Sequence, residues 1–169
     1  MRMKDRFVVR GMVLAGVFLA GVAATTAEPL PARLQGTWRI TRVLPTSNTS
    51  CWNRSQALPL VGSRLTYTPT AMRWQGGEVE LSDITTRVVS AEDFSQEERG
   101  ASFSQIGIHA PQVLEVDMQH EDADITGAST EVPGDSVLIA GPGRIVVSAC
   151  GVYFEATRTG GLERASARR

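Results

Sequence analysis

Few residues of this chain match the side-chain patterns of catalytic sites, and the best candidate nucleophile lacks a base. Ser136 follows Gly134-Asp135, and an activated serine needs a histidine positioned by an acid. Both histidines of the chain precede Ser136, which begins a predicted strand late in the chain. We therefore interpret this block as a turn, find no acid–base pair that can be named, and predict no catalytic residues.

Metal-ligand patterns are equally incomplete. The oxygen ligands and the glycine of a calcium loop alternate correctly in residues 122–127, but Pro133 stands where the bidentate glutamate belongs. Calcium binding by this segment is left open. His109 and His120 are eleven positions apart, and no free cysteine is expected to complete a zinc site. The sequence thus predicts neither a metal nor a cofactor.

The amino-terminal residues 1–27 have the pattern of an export signal. Four basic residues precede an apolar run from Met12 to Ala24, and the small residues Thr25 and Ala27 suit cleavage after Ala27. The apolar run is shorter than the roughly 18–20 residues needed to cross a bilayer, which disfavours an uncleaved anchor. We expect a periplasmic or extracellular protein with no membrane span after cleavage.

Export changes the interpretation of the two cysteines. In an oxidising compartment, Cys51 and Cys150 are expected to form a disulfide bond. An intermolecular link and two unpaired thiols remain as alternatives.

Along the rest of the chain, period-2 alternation of apolar and polar residues recurs, and sustained helical periodicity does not. A short helical turn is predicted within 91–101, a long irregular loop at 45–62, and a single long last strand in which Val146, Cys150 and Phe154 share a face. The predicted strands are 37–44, 65–67, 72–74, 78–81, 85–89, 103–108, 113–118, 136–140 and 144–158.

Short strands separated by frequent turns predict an all-β sandwich or barrel. A Cys51–Cys150 bridge favours the barrel, since it requires the first and last strands to be neighbours. We predict an antiparallel up-and-down β-barrel of about eight strands over residues 28–160, followed by a disordered tail, 161–169.

Gly36-Thr37-Trp38, at the start of the first predicted strand, resembles the Gly-x-Trp signature of the lipocalin and calycin superfamily. In that superfamily an arginine near the end of the last strand packs across the tryptophan, and Arg158 lies at the matching position. The resemblance implies a lipocalin-like barrel in which Trp38 and Arg158 are structural.

Charge is distributed unevenly along the chain. The formal net charge of the whole chain is −1, yet residues 33–73 contain six arginines and no acid, while 78–135 contain 14 acids and two arginines. This balance excludes a strongly basic nucleic-acid binder. The sequence does not decide whether the two regions lie on opposite sides of the barrel or on adjacent strands.

These observations favour a monomeric, exported, non-enzymatic binding protein that holds a small apolar ligand in the barrel. The inward set is predicted to be Trp38, Ile40, Leu65, Tyr67, Met72, Trp74, Phe103, Leu114, Val116 and Phe154. Candidate ligand-binding residues are Trp52, Leu65, Tyr67, Met72, Trp74 and Phe103. The alternative is an inhibitor or immunity-type protein that binds an enzyme through loop 45–62, which contains Trp52, or through its acidic face.

Overall fold

Strands account for most of the described chain, which in this computed structural model comprises residues 28–45, 52–98, 101–120 and 132–160. The elements in chain order are β1 Gly36–Val43, α1 Arg54–Ala57, a 3-10 helix Leu58–Leu60, β2 Arg64–Tyr67, β3 Ala71–Trp74, β4 Gly77–Ser90, α2 Ala91–Glu97, β5 Gln112–His120, β6 Ser136–Gly141, β7 Arg144–Ala149 and β8 Val152–Arg158. The predicted signal 1–27, Cys51, the acidic segment 122–127 and the tail 161–169 lie outside the described residues.

The eight strands form a closed barrel in which each strand pairs antiparallel with its neighbours in sequence. β1 and β8 close the ring, with Trp38 opposite Arg158 and Ile40 opposite Ala156. The predicted all-β, up-and-down barrel of about eight strands is therefore confirmed. Because the strands alternate in direction, the β1–β2, β3–β4, β5–β6 and β7–β8 connections share one end of the barrel, which we call the upper end.

Alternation along the strands fills the barrel with apolar side chains. Trp38, Ile40, Leu65, Met72 and Phe154 belong to one buried cluster in its interior. Nine of the ten residues predicted to face inward belong to this cluster or pack against it, the other four being Tyr67, Trp74, Leu114 and Val116.

Phe103 is the exception, because it lies outside the barrel wall. The connection between β4 and β5 folds over the outer face of the sheet and forms a second cluster there. The ring of Phe94, in α2, lies 5.0 Å from that of Phe103 and 5.8 Å from that of Tyr153. Since Tyr153 alternates with the inward Phe154, this cluster covers the outward side of β8.

The predicted strand 103–108 is wrong, and local hydrogen bonds explain why. The amide of Ser102 donates to the side chain of Gln105, and the amide of Ile108 donates to the carbonyl of Phe103. Gly107 has a φ of 70°, which a regular strand does not accommodate. The segment is a chain of turns whose apolar residues pack onto the barrel from outside.

The single predicted strand 144–158 is also wrong, because it is two strands joined by a tight turn. Cys150 and Gly151 have φ values of 48° and 73°, as a two-residue type I′ hairpin turn requires. The turn places Cys150 between strands, and it puts Val146 in the outer cluster while Phe154 faces inward. The prediction that these three residues share a face of one strand fails for this reason.

Three other boundaries differ from prediction. The strands predicted at 78–81 and 85–89 are one strand, β4, which has a register shift between Leu81 and Asp83. The segment 91–97 is a seven-residue helix, capped by the hydroxyl of Ser90. Loop 45–62 contains α1 and the 3-10 helix, because Asn53 and Gln56 form a reciprocal capping box.

Candidate binding surface

The residues predicted to bind an apolar ligand lie mainly inside the barrel and pack against one another. Leu65, Tyr67, Met72 and Trp74 are at most 2% exposed, and Trp52 is partly buried against the same cluster. Phe103 belongs to the separate outer cluster and is not brought together with them. The candidate set is therefore divided between two clusters on opposite sides of the barrel wall.

Both ends of the barrel carry apolar caps. At the lower end, Leu30 and Leu34 from the segment before β1 are buried in the interior cluster. At the upper end, Ala57 is buried, while Trp52 and Leu60 pack on the cluster from above. The described interior is thus lined and capped by contacts within the chain.

Trp38 and Arg158 meet at the lower end. The guanidinium carbon of Arg158 lies 4.2 Å from the centre of the Trp38 ring, and the indole Nε1 donates to the carbonyl of Leu34 at 2.7 Å. Arg158 also donates to the carbonyls of Gln35 and Arg33. One guanidinium therefore fixes the segment before β1 to the end of β8 and stacks on the tryptophan.

Tyr67 is the main polar group of the interior cluster, and its hydroxyl is satisfied. The hydroxyl donates to the carbonyl of Gly134 at 3.0 Å. Burial, with a smaller contribution from the charge of Asp135, raises the pKa of Tyr67 well above its usual value. The hydroxyl therefore stays protonated and acts as a structural donor at any physiological pH.

The connection from β1 to β2 has a buried side and an exposed side. Its buried side is formed by Ala57 and Leu60, and backbone hydrogen bonds between Ile40 and the Gly62–Ser63 pair tie it to β1. On the exposed side, Leu58 and Val61 are 49% and 39% exposed. The carbonyl of Leu58 accepts from the amide of Val61, so the two apolar side chains are presented by a single turn.

A groove of about 840 Å³ lies next to this turn, on the outer face of β1, β2 and β3. Its walls include three arginines, the end of the β1–β2 connection and the first residues of β4. The lining residues that bear on binding are Arg39, Gly62, Ser63, Arg64, Arg73 and Glu78.

The three arginines come from outward positions on three consecutive strands. Arg39 is directly opposite Arg64 in the β1–β2 register, and Arg73 pairs with Glu78 across the β3–β4 hairpin. The Nε of Arg73 lies 2.7 Å from the Glu78 carboxylate, which raises the pKa of Arg73. Within the described ranges, neither Arg39 nor Arg64 has an ion-pair partner.

The basic and acidic regions of the sequence occupy adjoining surfaces of the barrel. The acidic surface comprises the outward residues of β4 and β5 together with α2, and it includes Glu80, Glu92, Asp93 and Asp117. The Arg73–Glu78 ion pair lies where the two surfaces meet. The molecule is therefore polarised around its circumference, with contact between the two signs at the β3–β4 hairpin.

Metal-binding groups are absent from the residues that the structure describes. No group of three or more His, Cys, Asp and Glu side chains there could hold a metal ion. His120 lies 3.2 Å from Asp135, while His109 is on the exposed turn before β5. In the same described ranges, no helix combines the length and apolar character needed to cross a bilayer.

Fold and surface together define a closed eight-stranded antiparallel barrel with a filled interior and an arginine-lined external groove. No protein-family model, curated protein or solved structure matches the chain significantly.

Sequence reasoning found the arginine-rich region but missed the groove. Arg39 alternates with Trp38 and Ile40, and Arg64 precedes the inward Leu65, so the outward direction of both could have been predicted. Their direct opposition depends on the β1–β2 register, which the long intervening connection obscures.

Proposed function

We propose that this chain is an exported, non-enzymatic binding protein that recognises another protein through the exposed side of its β1–β2 connection. The observation that carries the proposal is the exposure of Leu58 and Val61 on a turn whose opposite side is packed on the barrel. Neighbouring exposed apolar side chains on a turn that is packed against the barrel suit a protein contact, because the turn loses little conformational entropy on binding.

Of the two functions that the sequence predicts, the exposed turn therefore favours the inhibitor or immunity-type protein over the small-ligand carrier. A partner enzyme would contact the turn with an apolar patch, and the barrel would serve as its rigid support. Binding as a monomer is part of this proposal.

A predicted disulfide would reinforce that support. The β1–β2 connection contains Cys51, and the β7–β8 turn contains Cys150, which is 5% exposed. Both connections belong to the upper end of the barrel. We propose that a bridge between the two cysteines holds the turn that bears Leu58 and Val61 in place after export.

The test compares capture from an envelope extract by immobilised wild-type protein, the double variant Leu58→Asp/Val61→Asp, and Val88→Asp. Val88 is 61% exposed and serves as the matched apolar control away from the turn. We expect a stoichiometric partner to be retained by wild type and by Val88→Asp and to be lost by the double variant. Equal thermal melting curves must accompany the comparison. Identical captured sets, or no partner for wild type, would contradict the proposal.

A second candidate function is the binding of a small apolar ligand inside the barrel. It is favoured by the largely apolar character of the described core, in which the Tyr67 hydroxyl and the Trp38 indole N–H already have hydrogen-bond partners. Since the interior side chains are packed together, entry would require the cap formed by Trp52, Ala57 and Leu60 to move.

Titration with an environment-sensitive apolar dye tests this second function. Saturable one-to-one binding that is altered by Trp52→Ala would support an interior site. Failure of the folded protein to bind the dye saturably would exclude it.

A further inference from the structure

We infer that the groove on the outer face of β1, β2 and β3 binds an acidic segment of the partner protein, with Arg39 and Arg64 as its principal contacts. The inference rests on the proposed function, because it assigns a chemistry to the partner that the neighbouring turn would contact.

Arg39 and Arg64 are directly opposite each other on neighbouring strands. Like charges in this position repel and destabilise a sheet. Both side chains are exposed, and neither forms an ion pair with any residue that the structure describes. Among the described residues, no ion pair offsets the repulsion between these two charges.

Other arginines of the barrel are used differently. Arg42 and Arg144 bind Glu155, Arg87 binds Glu97 and Glu115, and Arg158 binds backbone carbonyls. These side chains have structural partners that account for their positions. Arg39 and Arg64 instead line a groove, where an incoming anion can satisfy them.

The shape and the chemistry of the groove suit carboxylates. Two guanidinium groups on adjacent strands present planar sets of donors, and such donors bind carboxylates through paired hydrogen bonds. Gly62 and Gly76 add no side chains beside them, and the space where a Cβ would stand is open at both positions. An extended peptide can thus approach the strands closely.

The neighbouring apolar turn identifies the source of the anion as a protein. Gly62 and Ser63 line the groove and directly follow Val61 in the chain. The groove is therefore continuous with the exposed pair Leu58 and Val61. A partner that combines acidic side chains with an apolar patch complements this composite surface, whereas a free phosphate would use only the groove.

The charge around the groove also limits what can bind. Glu78 lies at its edge and the acidic surface of β4 begins there, so a long polyanion would meet repulsion at once. A short acidic segment that ends at the β3–β4 hairpin avoids this repulsion.

The experiment measures binding of a synthetic hexaglutamate peptide, with inorganic pyrophosphate as the small-anion probe. The proteins are wild type, Arg39→Gln/Arg64→Gln, and Arg33→Gln as the matched control. Arg33 is exposed and lies before β1, at the end of the barrel opposite the β1–β2 connection. All three proteins should be fully folded at the assay temperature, and removal of the Arg39–Arg64 repulsion should not lower the melting temperature of the double variant.

We expect hexaglutamate binding to fall at least about tenfold in the double variant and to be retained by Arg33→Gln. We also expect hexaglutamate to bind more tightly than pyrophosphate. Equal loss of binding in Arg33→Gln would show that only net charge matters. Tighter binding of pyrophosphate than of hexaglutamate would show a small-anion site. Either result overturns the inference, and so does a wild-type protein that does not bind the peptide.

This assay needs no cellular partner, so it separates the inference from the proposed function. Failure of hexaglutamate binding overturns the acidic groove, while the capture experiment with Leu58→Asp/Val61→Asp still decides whether the turn is a protein contact. Loss of capture in that variant with unchanged hexaglutamate binding would support both.

Discussion

A single guanidinium, that of Arg158, closes the lower end of the barrel. It stacks on Trp38 and donates to the carbonyls of Gln35 and Arg33, so it links three parts of the chain. The inward positions of Trp38 and Arg158 follow from strand alternation and could be predicted from the sequence. The carbonyl contacts could not, since they depend on the path of the chain before β1.

The close approach of Arg158 requires glycine at position 36. Gly36 has a φ of 119°, and an added Cβ would lie 2.6 Å from Nη1 of Arg158. We expect Gly36→Ala to reduce the free energy of unfolding by about 1–3 kcal/mol, through backbone strain and displacement of the guanidinium.

Urea unfolding with Gly143→Ala as the control tests this. A Cβ at position 143 would meet no atom within 4 Å, and its φ is ordinary. Equal unfolding midpoints for the two variants would contradict the role assigned to Gly36.

Glu155 makes stability depend on pH. Burial of this carboxylate opposes its ionisation, but hydrogen bonds from Arg144 and Arg42 outweigh that effect and lower the pKa of Glu155. A lowered folded-state pKa means that the ion pairs stabilise the fold above the unfolded-state pKa, and that this contribution is lost as the pH falls through the folded-state pKa.

We therefore expect Glu155→Gln to cost about 1–3 kcal/mol at neutral pH and progressively less as the pH falls below about 4. Chemical unfolding at a series of pH values measures the difference from wild type. Glu80→Gln, which changes an exposed glutamate on β4, is the control. A cost for Glu155→Gln that does not change with pH would refute the ion-pair explanation.

Among the elements, the β4–β5 connection departs most from what its sequence predicts. A strand is predicted for the segment that contains Phe103, Ile106 and Ile108, although only Ile106 and Ile108 keep the period-2 spacing. Their common burial outside the barrel follows from Gly107 and the turn at Ser102, which are local features. Tertiary packing determines which face of the sheet these three residues cover, and the sequence of the segment alone does not predict it.

The last hairpin, β7–β8, also differs from what its local sequence predicts. Residues 144–158 alternate well enough to suggest one strand, because the I′ turn at Cys150-Gly151 occupies only two residues. A cysteine with positive φ is uncommon, so the residue type at position 150 does not predict a turn there. The strands of the amino-terminal half were easier to place, since proline and paired glycines mark their ends.

Arg144 connects the outer segment to the barrel. Its Nη1 and Nη2 donate to the carbonyls of Gly107 and Ile106 at 2.9 and 3.0 Å, and its Nε binds Glu155. We expect Arg144→Met to speed amide hydrogen exchange at residues 106–108 roughly tenfold, because these tethers are lost while the stem still packs.

Arg42→Met is the matched control, since Arg42 shares Glu155 and has no hydrogen bond to the outer segment among the described contacts. Exchange at 106–108 that responds equally to both variants would mean that Glu155, and not the carbonyl tethers, holds the segment.

At the scale of the whole molecule, surface charge is divided between an arginine-bearing face on β1–β3 and an acidic face on β4, β5 and α2. The sequence predicted the two regions but left their placement open. The order of the strands in the barrel answers that question, because β3 and β4 are neighbours and place the boundary at the Arg73–Glu78 pair.

The predicted disulfide is a property of the whole molecule because it would join the first connection to the last. If Cys51 and Cys150 are bridged, reduction should lower the free energy of unfolding by about 4–5 kcal/mol, given a closed loop of roughly 100 residues. Unfolding with and without reductant, beside Cys51→Ser/Cys150→Ser as the control, measures this. Alkylation of both thiols in folded, unreduced protein would contradict the bridge.

Closure of the barrel restricts how any partner can bind. Each strand of the described ring pairs with both of its neighbours, and β2 and β3 do so over nearly their whole length, whereas residues 83–90 of β4 pair with β5 alone. Strands β2 and β3 therefore offer a partner no open edge to which it could add a strand. Recognition at β2 and β3 must therefore use side chains and connections. Under the proposed function, affinity would be decided by a few surface positions that can change without disturbing the sheet, so that specificity could evolve independently of the fold.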